Sequence, residues 1–243
     1  NLLDSNYQGE LFVVNPKCDT VQGVKSFRDV ENLPAVDCAI LAIPAKLCTA
    51  AVETLCNKKS CKAIIILSAG FSEDSKEGAE IERKIVETCN ATGCSLIGPN
   101  CIGVMTQNYA GVFTHPIPNL SSKGVTLISG SGATIVFILE AAVQLGLQFN
   151  QVFSVGNSAQ LGVEDLLQYV DESYVHGESS PVIMLYIESI NNPEKLSKHA
   201  SSLIQKGAKI AAIKSGYSEA GSRAASSHTG ALAGSDLAFD TAF

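Results

Sequence analysis

The stretch LISGSGATIVFILEAA (127–142) decides how the chain is read. An apolar run, Leu127 and Ile128, passes into Ser129, Gly130, Ser131 and Gly132 and then directly into a helical pattern. That is a strand turning into a helix through residues small enough for the backbone to approach a ligand. Unpaired N–H groups and the helix dipole favour an anion at such a turn. It is not a Walker A loop, which needs Gly-Lys-Ser/Thr, and it is not G-x-G-x-x-G. The turn can hold one phosphate or oxyanion, or it can simply pack tightly; taken alone it names no nucleotide.

The same rhythm runs through the chain. Apolar runs rich in β-branched residues recur at 11–14, 38–43, 63–68, 95–98, 125–129, 151–155, 181–187 and 209–214. Most are continuous rather than alternating, as expected of parallel strands covered on both faces. Helical patterns lie between them at 75–92, 132–146 and 194–206; in the last, Leu196, Ala200, Leu203 and Ile204 share one face. Strands alternating with helices predict an α/β fold with two open parallel sheets. HPIPNLSSKG (115–124) has no periodicity and reads as a linker, giving units at 1–120 and 121–243. The first run, at 11–14, has neither a preceding strand nor a glycine-rich turn, and Leu237 to Phe243 stops inside a helical pattern; we therefore expect a piece of something longer.

Composition narrows the function classes. The 243 residues are 46% hydrophobic and 17% charged, which suits packed cores rather than disorder. Net charge is −7 and no Lys/Arg cluster occurs, so nucleic acid and acidic membranes are not expected partners. No apolar run reaches the roughly 20 residues that span a bilayer. The eight cysteines (18, 38, 48, 56, 61, 89, 94 and 101) suit a reducing cytoplasm better than a secreted disulfide framework. Two pairs, CNKKSC (56–61) and CNATGC (89–94), share a C-x4-C spacing that admits a four-thiolate site. Structural zinc pairs are mostly spaced by two to four residues, and no further ligands accompany these. We read the cysteines as small apolar filler and expect no metal.

In open parallel sheets ligands sit beyond the carboxyl ends of the strands. The residues there are Asn15, Pro16 and Lys17; Pro44 and Ala45; Ser68, Ala69 and Gly70; and Gly98, Pro99, Asn100 and Cys101. In the second unit they are Ser129 to Gly132; Gly156 and Asn157; Glu188 and Ser189; and Ser215 and Gly216. Such residues also serve merely to turn the chain. His115, His176 and His199 read as linker, loop and helix residues, solvated or structural. His228 differs, because it stands between Ser227 and Thr229 in a Gly/Ala/Ser stretch after a strand and turn.

These motifs, in this order, resemble those of the NDP-forming acyl-CoA synthetases, which include the ADP-forming acetyl-CoA synthetases and the succinyl-CoA synthetase α subunit. The likeness rests on Asn-Pro-Lys (15–17), Ile-Pro-Ala (43–45), Ser-Ala-Gly-Phe-Ser-Glu (68–73), Gly-Pro-Asn-Cys-Ile-Gly (98–103), Ser-Gly-Ser-Gly-Ala (129–133), Gly-Asn (156–157) and the segment 214–236 around His228. It implies a Rossmann-like CoA-binding domain followed by a flavodoxin-like domain. It implies His228 as phosphoryl carrier, Glu188 as the carboxylate orienting its ring, and Ser129, Gly130, Ser131, Gly132, Gly156 and Asn157 as the phosphate site. Lys17, Pro44, Ala45, Ser68, Ala69, Gly70, Asn100 and Cys101 would line the CoA groove, with Cys101 as packing rather than nucleophile. Gly216, Gly221, Gly230 and Gly234 suit a histidine that travels between two sites. The implied reaction interconverts acyl-CoA, ADP and phosphate with acid, ATP and CoA. ADP/ATP and Mg²⁺ would be handled by an ATP-grasp domain or subunit outside this sequence, within an oligomer. A CoA-sensing module fused to an acyltransferase is the alternative; a sensor has no need of His228 and Glu188. A nicotinamide oxidoreductase lacks its fingerprint here.

Overall fold

The computed structural model describes residues 1–243 except Asn6, Pro116 and 216–243. His228 and the glycines at 216, 221, 230 and 234 therefore lie outside the described residues. The first unit contains β1 (Val13–Val14), β2 (Thr20–Val21) and β3 (Val24–Phe27), then β4 (Cys38–Leu41), α1 (Ala45–Lys58), β5 (Ala63–Ile66), α2 (Lys76–Thr92) and β6 (Ser95–Ile97). The hairpin β7 (Gly103–Thr106) and β8 (Tyr109–Val112) follows. The second unit is β9 (Leu120–Ser129), α3 (Gly132–Gln144), β10 (Phe149–Ser154), α4 (Val163–Glu172), β11 (Val182–Ile187), α5 (Pro193–Gln205) and β12 (Lys209–Lys214).

Helix ends follow local chemistry. Ser75 caps α2 by accepting from the Gly78 N–H, and Gly93, at φ 67°, ends it in the left-handed conformation. Asn192 caps α5 by accepting from Lys195, with Pro193 at the first helical position, where its missing N–H costs nothing. Asp165 accepts from the Gly162 N–H at the start of α4.

The parallel sheets predicted from the apolar runs form as two blocks. β4, β5 and β6 pair in parallel in that order. β12, β11, β9 and β10 also pair in parallel. Two features differ from the sequence reading. The run 11–14 does not join the β4–β6 sheet: β1 pairs with β3, which pairs antiparallel with β2, in a sheet of their own. The hairpin β7–β8 lies before the proline-rich stretch yet belongs to the second sheet, with β7 antiparallel to β10. It covers a sheet edge that would otherwise expose unpaired backbone groups. The change of sheet thus comes near residue 100, ahead of the linker.

Three apolar clusters hold the layers. One packs Leu55, Ile64, Ile66, Ile85 and Leu96 between β4–β6 and helices α1 and α2, with five cysteines among them. Another lies between the second sheet and α4 and α5; it takes in Ile65 and Cys101 of the first unit, so the two units share packed interior. The third puts Ile135 and Leu139 of α3 on Leu127, Phe149 and Val152. Among the described residues no helix is long and apolar enough to cross a membrane.

Candidate functional site

The strand-end turns converge, because β5, β6, β9, β10 and β11 all end on the same side of their sheets. At the end of β9 the Ser129 hydroxyl donates to the Ser131 carbonyl (2.9 Å) and accepts from the Ser131 N–H (3.1 Å), folding the turn onto itself. Ser131 then caps α3, its hydroxyl oxygen accepting from the Thr134 N–H at 3.2 Å. Gly132 and Ala133, the first two residues of α3, carry N–H groups with no acceptor inside the helix. The two glycines have different reasons. A Cβ on Gly130 would lie 3.4 Å from Cβ and Cγ of Glu188, which places that side chain against the turn. A Cβ on Gly132 would lie 2.7 Å from Cγ2 of Ile102, so close packing requires a glycine there.

Glu188 opens the loop after β11, and a buried carboxylate holds that loop. Glu164, 2% exposed on α4, accepts from the N–H groups of Asn191 (2.9 Å) and Asn192 (2.8 Å). Sequence reading passed over Glu164, since one acid in a helical first turn looks like an ordinary helix start.

Gly156 and Asn157 lie where the two units meet. Gly156 sits at φ +56°, and a Cβ there would come within 2.1 Å of the Pro99 carbonyl oxygen. The Asn157 N–H donates to that same oxygen at 2.9 Å. The Asn157 side-chain amide donates to the Ser72 hydroxyl (3.2 Å), to Glu73 and to Glu82 (3.0 Å). Its donors thus join the two units across a polar seam. Burial pushes the Glu73 carboxyl up, but the hydrogen bonds from Asn157 and from the Gly70 and Phe71 N–H groups outweigh it and hold the carboxyl below its usual value. Gln160 extends the seam along the edge of β6. It accepts from the Leu96 N–H (2.6 Å) and donates to the Cys94 carbonyl (3.2 Å) and the Asn90 side chain (2.7 Å). An isolated glutamine gives no sequence signal for this role.

The groove residues of the first unit are partly gathered. Pro44 precedes α1 and Ala45 begins it; a Cβ on Gly70 would lie 3.6 Å from the Ala45 Cβ, so these turns touch. The Asn100 N–H donates to the Ser68 carbonyl at 2.9 Å, drawing the 98–101 turn onto the same edge, and Ala69 is exposed between them. Lys17 is exposed on the separate β1–β3–β2 sheet, where its N–H and that of Cys18 donate to Asn15 Oδ1. Cys101 faces inward: it is 3% exposed, its thiol donates to the Ile66 carbonyl at 3.3 Å, and burial pushes its pKa up to about 12. A protonated interior thiol is packing, not a nucleophile. His199, read as a solvated or structural helix residue, is buried; its Nδ1 meets Asp171 at 2.8 Å, and Ser202 and Lys206 bond the same carboxylate, tying α5 to α4.

Two parallel-rich units, a turn of small residues before α3, a neighbouring glutamate and a gathered strand-end edge define a two-layered α/β protein with a polar strand-end edge. Residues 1–107 match a CoA binding domain and residues 122–243 match a succinyl-CoA ligase-like flavodoxin domain. The chain belongs to the NDP-forming acyl-CoA synthetase superfamily. It is 37% identical to an ADP-forming acetate–CoA ligase (I) of Archaeoglobus fulgidus, over 98% of this chain and 34% of that protein. It is also 37% identical to the α subunit of ADP-forming acetate–CoA ligase II of Pyrococcus furiosus, over 98% of this chain and 51% of that subunit. A solved structure of Ca. Korarchaeum cryptofilum dinucleotide-forming acetyl-coenzyme A synthetase 1, in complex with phosphate and ADP, superimposes with a TM-score of 0.88 at 29% identity. It covers all of this chain and 51% of that one. The chain thus spans about a third to a half of the length of these relatives.

Proposed function

We propose that this chain is the CoA-binding and phosphoryl-carrying part of an ADP-forming acid–CoA ligase, with acetate as the acid. The observation that supports this reading best is the packing of the Glu188 side-chain stem against Gly130, in the turn that leads into α3. An oxygen of inorganic phosphate attacks the thioester carbon of the acyl-CoA. The CoA sulfur leaves and is protonated, and an acyl phosphate forms. The Gly132 and Ala133 N–H groups and the α3 dipole hold the phosphate charge throughout. A ring nitrogen of neutral His228 then attacks phosphorus, and the acid leaves as its carboxylate. Glu188 accepts the hydrogen bond from the other ring nitrogen, which fixes the tautomer and steadies the charged ring. The phosphoryl group passes from His228 to ADP on an ATP-grasp module, where Mg²⁺ neutralises the nucleotide phosphates. Pro44, Ala45, Ser68, Ala69, Gly70 and Asn100 form the CoA edge, and Lys17 pairs with a CoA phosphate.

Incubating the full-length protein with ATP labelled on its terminal phosphate, together with Mg²⁺, should label His228. The label should be acid-labile, alkali-stable and missing from His228→Asn; labelling that survives this substitution would overturn the carrier role. Glu188→Gln should slow phosphoryl transfer about a hundredfold with CoA affinity nearly unchanged. A large loss of CoA binding instead would remove Glu188 from this role.

A further inference from the structure

The two C-x4-C segments, read from sequence as filler, come together at the end of the β4–β6 sheet opposite the ligand edge. Cys56 lies in the last turn of α1 and Cys89 in the last turn of α2. Cys61 and Cys94 stand just before β5 and β6. The sulfurs of Cys56, Cys89 and Cys94 all lie within 4.8 Å of one another. Cys61 stands beside this trio and brings a fourth thiol, which at present donates to the Ala63 carbonyl (3.2 Å) and the Asp37 carbonyl (3.8 Å). All four are buried: Cys56 is 8% exposed, Cys61 1%, Cys89 0% and Cys94 2%.

The loops that present them share one conformation. In each, the residue before the second cysteine is left-handed, Ser60 at φ 58° and Gly93 at φ 67°. In each, the N–H of the second cysteine returns to a carbonyl in the last turn of the helix, Cys61 to Leu55 (3.1 Å) and Cys94 to Cys89 (2.9 Å). A serine in this region is disfavoured by about 1 kcal/mol. The left-handed residue serves to end each helix, but apolar filling alone has no need of thiols from four segments gathered at one end of the sheet. Two equivalent loops, each delivering two sulfurs, are the arrangement of a four-cysteine metal centre, and C-x4-C falls within the spacing such centres use.

We infer that Cys56, Cys61, Cys89 and Cys94 form a structural site for one zinc-class divalent ion, held by four thiolates. This is independent of the ligase reading. Zinc–sulfur bonds of about 2.3 Å place tetrahedral sulfurs about 3.8 Å apart, a contraction of at most about 1 Å for Cys56, Cys89 and Cys94, while the Cys61 thiol would turn from its carbonyl partners to complete the set. Binding converts four thiols to four thiolates and releases four protons, leaving the centre with two negative charges. Lys58, Lys59 and Lys62 are near Cys61 in the chain, and Lys58 pairs with Glu31. Lys59 is already fixed, donating to the carbonyls of Glu31 (2.6 Å) and Leu33 (2.7 Å). The ion would clamp the ends of α1 and α2 onto the sheet.

The test uses full-length protein purified under reducing conditions with zinc and dialysed. Elemental analysis should find one zinc per chain, and zinc-edge X-ray absorption on the wild type should give four sulfurs at about 2.3 Å. Cobalt substitution should give thiolate-to-cobalt charge-transfer bands and tetrahedral visible bands. Cys56→Ser and Cys94→Ser should lose the bands, while Cys18→Ser, at an exposed cysteine, should keep them. No bound metal, a coordination shell dominated by nitrogen and oxygen, or bands unchanged in both cluster variants would overturn the site. Iron in place of zinc would overturn the zinc assignment. The absorption measurement needs no variant, so a misfolded Cys56→Ser does not blunt the test.

Discussion

At the carboxyl ends of β5 and β6 the chain places Ser68, Gly70, Ser72, Glu73 and Asn100, and the Asn157 side-chain amide of the second unit donates to Ser72 and Glu73. At the amino ends of the same two strands it places Cys61 and Cys94, sealed under the ends of α1 and α2 with Cys56 and Cys89. Only a few residues of strand separate the two surroundings. One end exposes small and polar groups where a ligand can enter. The other buries soft, weakly polar thiols that hydrogen-bond poorly and bind metal well. The difference shows two surroundings at the ends of one sheet: the amino end is interior, and the carboxyl end is a polar seam.

Three substitutions test that contrast, in order of falling effect. Leu96, fully buried in β6 between the two ends, should cost about 3 kcal/mol when replaced by alanine, read by denaturant unfolding. A loss well under 1 kcal/mol would mean that the interior end is loosely packed. Gly156→Ala should cost about 2 kcal/mol, because its left-handed backbone and the nearby Pro99 oxygen leave no room for Cβ. Unchanged stability would show that the seam yields easily. Asn157→Ala should cost about 1 kcal/mol at neutral pH by removing the amide that Glu73 and Glu82 share.

That last loss should depend on pH with a definite sign. Burial raises the Glu73 carboxyl, and the Asn157 and backbone hydrogen bonds bring it below its ordinary value. A depressed folded-state value contributes stability that is present above the unfolded value, about 4.3, and lost as pH falls through the folded one. The gap between wild type and Asn157→Ala should therefore narrow below about pH 4. An NMR titration should show the Glu73 carboxyl rising in the variant. A gap that stays constant to low pH would place the energy of Asn157 elsewhere.

Much of the fold could be read locally. Continuous apolar runs and helical periodicity located the parallel strands of both larger sheets, because burial on both faces leaves that mark on composition. The run at 11–14 was also legible as a strand, but not its partner: pairing depends on which edges meet, and β1 met β3. The hairpin β7–β8 went unread because its four-residue strands are short and its GVMT and YAGV segments contain glycine. Its place on β10 is a long-range contact that local pattern does not encode. At the site, the Ser129–Gly132 turn was readable from its small residues. Glu164 under the Glu188 loop was not, nor was the engagement of Asn157 by Glu73 and Glu82, because each joins segments far apart in the chain.

The sequence by itself determined an α/β chain, helical segments at 75–92, 132–146 and 194–206, a turn of small residues at Ser129–Gly132 and the family resemblance carried by motif order. These rest on neighbouring residues, whose φ/ψ preferences and hydrogen bonds act over a few positions. Tertiary structure alone decided that Gly156 and Asn157 form a seam, that Cys101 points inward, and that two distant C-x4-C pairs bring the sulfurs of Cys56, Cys89 and Cys94 together. Those outcomes required sheet order and helix packing to bring remote segments within bonding distance, and no local preference specifies a distance between them.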